Sequence, residues 1–289
     1  MSSTIDVTRY RRRRRRQRFL QTTLVYLLLV AMAVVTMTPF FWMLSSSLKA
    51  RNKIFAYPPQ WLPDPVVLQN YLDAWNAIPF GRFVLNTLKI AFLSVVGQIV
   101  FASLAGYGFA RFDFPGKKAM FTMLLAVMMV PSTVNIVPRF YVFKQLGWLN
   151  THLPLIVPSV FSCTFGTFLF RQFMLSLPAA LEDAARIDGA GPFRIYWQIM
   201  LPLCKPAAGV LSIFTFIGQW NSFFGPFVYL RDVEKMTINV GLAFFRSEAG
   251  TDWNLLMAGS VITLLPTIIV FLFSQRYYLQ GMVTSGLKA

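Results

Sequence analysis

The side chains able to do chemistry are few in this chain, and their densest cluster lies in LEDAARIDGAGPFRIYWQIMLPLCKP, residues 181–206. Glu182, Asp183 and Asp188 there could in principle hold a metal ion or share acid–base work. The spacing argues against both, because no two of these acids stand at i, i+4 on one helical face. The single histidine, His152, is remote in sequence, and Cys163 and Cys204 have no metal-site spacing. Both cysteines are expected as core or interface residues. Neither a metal site nor a catalytic cluster is expected, so the segment needs a mechanical explanation.

Its punctuation supplies one. Ser176 and Pro178 read as a helix start, a side-chain cap followed by a residue that needs no donor. Leu181, Ala184 and Ala185 then share one face, and Gly189 should end the helix in a left-handed turn. Gly191–Pro192 turns the chain and opens a second helix, whose apolar side is Phe193, Tyr196, Trp197 and Met200. Leu201–Pro202 should close that helix before an apolar run begins near Pro206. The expected product is an elbow of two short helices, residues 176–205, with Ala184 and Ala185 as a small-residue knob at its tip. A connector lying on a membrane surface and an arm that docks on a partner both fit this pattern.

The elements around the elbow are set by composition. Charged residues make up 13% of the 289 residues and hydrophobic ones 56%, with a mean hydropathy of +0.55. Soluble domains carry about 25% charged residues, so the chain reads as an all-α integral membrane protein. Six apolar stretches of spanning length lie near Phe19–Leu44, Phe83–Ala110, Ala119–Pro138, Leu153–Phe173, Ala207–Leu230 and Leu255–Leu279. Placing both termini in the cytoplasm puts 17 Lys and Arg inside and nine outside, which supports N-in, C-in topology. The elbow then joins the fourth and fifth spans on the cytoplasmic side. A basic tail (1–18) precedes the six-span membrane domain (19–279), and a short tail (280–289) follows it. The net charge of +16 is concentrated beside the first span, where Arg11–Arg16 serve topology and anionic lipid rather than nucleic acid.

Polar groups within the spans are amides. Asn86, Asn135, Gln219 and Asn221, with Trp220, suit either hydrogen bonding between helices or a pathway for a neutral polar solute. Gln98 is of the same kind. No acid lies in the spans to serve a proton relay, and Lys89 can snorkel to the interface. The segment 45–82 combines YPPQWLPDP with a helical pattern of Leu68, Tyr71, Leu72 and Trp75. It is expected either to lie on the outer membrane surface or to form a ledge for an external partner.

At the elbow the sequence resembles the EAA signature of binding-protein-dependent ABC importer permeases. Asp183-Ala184-Ala185, Gly189, Ile199 and Leu201-Pro202 fall on its spacing without a gap, with Asp183 in place of the usual Glu. The stretches SLKARNKIF, PPQWLP, NYLDAW, NTLKIAF, WNSFFGPFVYL and QRYYLQGMVTSGLKA extend the likeness over nearly the whole chain. They are most similar to the carbohydrate-uptake branch, in particular the second permease of maltose-type importers.

The resemblance implies a non-catalytic transport subunit of a bacterial or archaeal cytoplasmic membrane. It implies a heterodimer with a second permease, two cytoplasmic ATPase subunits that bind ATP and Mg, and an extracytoplasmic solute-binding protein. It makes the elbow a coupling helix, to which Glu182, Asp183, Ala184, Ala185, Asp188, Gly189, Ile199, Leu201 and Pro202 belong. The chain's own residues agree with that division of labour, since no G-x-x-x-x-G-K-[ST] loop is present. A sugar or oligosaccharide is the implied cargo. A polyol or a glycerol phosphodiester fits the same amides, and a secondary transporter would instead need charged spans or a repeated half.

Overall fold

In the computed structural model the chain is described for residues 3–247 and 250–286; the side chains of residues 3–16, 132, 247 and 274–286 lie outside the description. The residues of the expected tail at 280–289, and the arginines 11–16, therefore have no described side-chain role.

Helices dominate, as the apolar composition requires. They are α1 (Ser3–Ser47), α2 (Gln69–Ala77), α3 (Phe80–Arg111), α4 (Lys117–Val127), α5 (Ile136–Gln145), α6 (Leu153–Phe161) and α7 (Thr164–Leu175). Next come α8 (Ala180–Ile187), α9 (Pro192–Leu203), α10 (Lys205–Trp220), α11 (Phe224–Tyr229), α12 (Ile238–Leu242) and α13 (Trp253–Gly286). A two-residue antiparallel pair, Arg246–Ser247 with Gly250–Thr251, is the β-structure among the described residues.

Four helical stretches are long and apolar enough to cross a membrane: Gln17–Ser47, Phe80–Arg111, Leu153–Leu175 and Trp253–Phe273. The bent pair α9–α10 makes a fifth if counted as one broken span. The third expected span, Ala119–Pro138, is not one helix. It is divided into α4, a 3-10 turn at Ser132–Asn135 and α5. Pro131 sits at the division with an extended backbone. Its ring removes a donor and disfavours helix at the residue before it, so the ladder stops there.

The chain forms two compact units. The first takes the chain up to Tyr71 together with Asp252–Val261. Here the end of α1 is locked by the buried Asn70, whose amide donates to the carbonyls of Ser47 and Lys49, both at 2.9 Å. Lys49 is itself buried, donating to the Gln60 carbonyl and lying 4.1 Å from the centre of the Trp42 ring. The helix expected from the pattern of Leu68, Tyr71, Leu72 and Trp75 is α2, which begins at Gln69. Leu68, Leu72 and Trp75 are exposed, so its apolar stripe faces outward.

The second unit runs from Leu72 to Thr251 and resumes at Ile262. Its spine is α3, against which α6, α7 and α10 pack. Small residues permit the close approach, as is usual where lipid offers no hydrophobic drive. A Cβ at Gly106 would stand 2.7 Å from the Phe170 Cβ, and one at Gly166 would stand 2.7 Å from the Ala102 Cβ. Two loops are clasped at one end of this unit. Asn150, left-handed at φ +60°, accepts from the backbone N–H groups of Arg231 and Asp232 and donates to the Asp232 carboxylate at 2.7 Å. Hydrogen bonds from Lys235 and Asn150 hold that exposed carboxylate below its ordinary pKa.

Candidate functional site

The elbow begins one turn later than expected. Ser176 does not cap α8; its hydroxyl donates back to the Phe173 carbonyl at 2.7 Å and closes α7. The first elbow helix is Ala180–Ile187, without a side-chain cap at Ala179. Its other end follows the expectation for Gly189, which has φ +76°. Gly189 N–H donates to the Arg186 carbonyl at 3.0 Å and Ala190 N–H to the Ala185 carbonyl at 2.9 Å. That pair of bonds is a Schellman closure, and it satisfies carbonyls the helix would otherwise leave open.

The second helix starts at Pro192 and runs past Leu201–Pro202 rather than ending there. The reason is a wide turn at Tyr196–Met200, where Leu201 N–H reaches the Tyr196 carbonyl, five residues back. The break falls instead at Cys204, where α9 and α10 meet at 73°.

The Ala184–Ala185 knob is split by burial. Ala185 enters the core cluster with Ala102, Tyr107, Phe170, Ile195, Tyr196 and Met200, while Ala184 is exposed. Asp183 and Asp188 are exposed as well, and Asp183 stands 3.7 Å from Arg186. Ile199 and Leu201 are partly buried against the cluster and Pro202 is exposed. Large apolar groups remain on the surface around the tip: Leu181, Ile187, Phe193 and Trp197, with Ile187 86% exposed.

Glu182 points the other way. It is 3% exposed and its Oε1 pairs with Arg111 Nε at 2.6 Å. Arg111, the last residue of α3, also donates to the carbonyls of Met174 and Leu177 at 2.8 and 3.0 Å. One guanidinium thus ties the ends of α3 and α7 to the first elbow helix. Tyr196, wholly buried, adds a second tie through its 2.7 Å hydrogen bond to Ser103 of α3.

The span amides separate into two groups. Asn86 donates to the carbonyls of Glu234 and Met236 at 2.8 and 3.0 Å, and Trp220 is buried with its indole N–H on the Thr263 carbonyl at 3.0 Å. Gln219 and Asn135 instead line cavities. Gln219 donates to the Ser159 hydroxyl at 2.8 Å and, with Gln98, Ser162 and Ser222, faces an open cavity of about 500 Å³. Asn135 lines a neighbouring one of about 520 Å³. Both share Ser162 and Arg139. Asn221 is exposed at the end of α10.

A family model described as the binding-protein-dependent transport system inner membrane component matches residues 98–283. The chain belongs to this family. Relatives of this permease include the arabinooligosaccharides transport system permease protein AraQ of Bacillus subtilis (strain 168), 35% identical over 89% of this chain and 92% of that one. Another is the sn-glycerol-3-phosphate transport system permease protein UgpE of Yersinia pestis bv. Antiqua (strain Antiqua), 36% identical over 81% of this chain and 86% of that one. The fold is shared with a chain from the crystal structure of a bacterial ABC transporter involved in the import of the acidic polysaccharide alginate. That likeness has a TM-score of 0.80 at 23% identity, over 90% of this chain and 96% of the other. The permease is accordingly a multi-pass membrane protein.

Two residues of the permease escape a reading by motif, Arg111 and Arg139. Arg111 counts in sequence only as one more inner basic residue, far ahead of the elbow along the chain, and only the packing of α3 against α7 brings it to Glu182. Arg139 stands one position beyond the expected edge of the third span. Among the described residues, no group of three or more His, Cys, Asp or Glu is placed to hold a metal.

Proposed function

We propose that the chain is the permease subunit of an ATP-driven importer for a sugar or oligosaccharide, with six spans and both termini in the cytoplasm of a bacterial cell. It forms half of the pathway, pairs with a second permease, and couples through its elbow to two ATPase subunits that bind ATP and Mg. A solute-binding protein delivers cargo from outside. The relatives' arabinooligosaccharide and glycerol-phosphate transport names bracket the cargo class.

The observation that carries this reading is the construction of the elbow. Its tip exposes Leu181, Ala184, Ile187 and Phe193, which is costly in water and makes sense as a docking surface. Its inner face is anchored by Glu182 and Tyr196, so force applied at the tip reaches α3 directly. A ligand shifts a conformational equilibrium only through contacts that differ between states, and ATPase closure supplies such contacts at this tip.

The test is a pull-down of the assembled importer carrying Ala184→Asp. A carboxylate forced unpaired into the joint should release the ATPase subunits or abolish solute-stimulated ATP hydrolysis, with membrane insertion unchanged. Wild-type ATPase retention and transport in this variant would reduce the elbow to a connector and sink the proposal.

A further inference from the structure

We infer that Arg139 marks a binding site for an anionic group, carboxylate or phosphate, on a hydroxylated solute. This deepens the importer reading and rests on it. Arg139 lines both cavities, is exposed, and makes no ion pair among the described residues; its charge acts on the phenol of Tyr229, which lines the first cavity. No acidic side chain lines either cavity. The polar groups beside it are hydroxyls and amides, Ser159, Ser162, Ser222, Gln98 and Gln219, set among apolar walls such as Leu155 and Phe223. Gln98 is held by its bond to the Ser159 carbonyl at 2.9 Å and by the Thr215 hydroxyl, which donates to it at 3.2 Å, and Gln219 by its bond to the Ser159 hydroxyl.

An arginine near a helix end reaches the interface on its own account; what sets Arg139 apart is its place in the wall of two cavities. A guanidinium matches carboxylate and phosphate with paired N–H donors, and charged hydrogen bonds are about twice as strong as neutral ones. Hydroxyl and amide linings suit sugar or polyol hydroxyls. The volumes fall in the range of small-molecule sites, roughly 300–1,000 Å³. A lipid acyl chain would choose differently: another cavity of about 580 Å³, lined by Leu85, Leu88, Phe92, Ile213 and Phe216, is apolar. Under the proposed topology Arg139 lies at the outer end of the third span, where delivered cargo would first meet this chain.

The experiment uses the complete importer in nanodiscs, with binding followed by calorimetry. Digalacturonate is compared with its uncharged dimethyl ester, and sn-glycerol 3-phosphate with glycerol. The wild type should bind the charged member of one pair at least about tenfold more tightly. Arg139→Gln should bring that pair within about twofold, and Arg139→Lys should keep part of the preference. The pair that responds tells carboxylate from phosphate. Absence of any charge preference, no binding of any probe, or a preference surviving Arg139→Gln would overturn the inference. So would loss of the signal on raising anionic lipid with no effect of solute charge, which would assign Arg139 to a headgroup. ATP hydrolysis stimulated by the binding protein is measured on the same wild-type preparation. If hydrolysis persists without charge preference, only the anion site fails. If hydrolysis is absent, the importer reading fails with it.

Discussion

At Gly189 a single backbone angle decides where the elbow points. With φ at +76° and open space around its Cα, the position excludes ordinary side chains by conformation alone and not by crowding. The left-handed region costs a non-glycine residue roughly 1–2 kcal/mol, more for a β-branched one and less for Asn. Gly189→Val should therefore break the Schellman closure and re-aim Ala184. ATPase subunits should be lost in co-purification while insertion stays normal, and Gly189→Asn should retain most of them. Equal retention by both variants would mean that the turn does not set the aim. This angle was legible in the sequence, because a glycine placed after a helical run and before Gly-Pro has few other reasons to be there. The burial of Ala185 was not, since two adjacent alanines look alike until the neighbouring helices are in place.

Among elements, the joint of α3, α7 and α8 at Arg111 and Glu182 holds the elbow to the bundle. Both side chains are largely buried, at 13% and 4% exposure. Breaking such a pair by removing one partner leaves an uncompensated charge and costs about 3–5 kcal/mol. Glu182→Gln should therefore lower the melting temperature of the purified complex and raise hydrogen exchange in residues 180–187. The exchanged pair Arg111→Glu with Glu182→Arg should recover part of both. Unchanged exchange in Glu182→Gln would show that the joint carries no load. Long helices such as α1 and α3 could be read from the sequence because an unbroken apolar run has one solution in lipid. The third span could not, because the same apolar count hides whether Pro131 bends a helix or ends it. The local backbone at Pro131 and the 3-10 turn after it end the helix.

For the whole molecule the exposed first span is the main fact. The apolar part of α1, Gln17–Ser47, has no buried residue in its most hydrophobic stretch. A helix apolar all round finds its partners in lipid or in another subunit. The permease expressed alone should therefore purify as aggregates. It should become monodisperse only with its second permease, as judged by light scattering. A monodisperse, thermally stable chain on its own would argue that α1 needs no protein partner. Motif and composition carried most of the bundle and the elbow into view, whereas the cavity around Arg139 depends on residues from separate helices that no local pattern links. The bend at Cys204 has a mechanical result. Because α9 meets α10 at 73°, a push along the elbow helix has only a minor component along the next one. In the proposed importer most of it would act sideways, as a crank turns a shaft, so that a pull on the elbow would open or close the walls beside that corner.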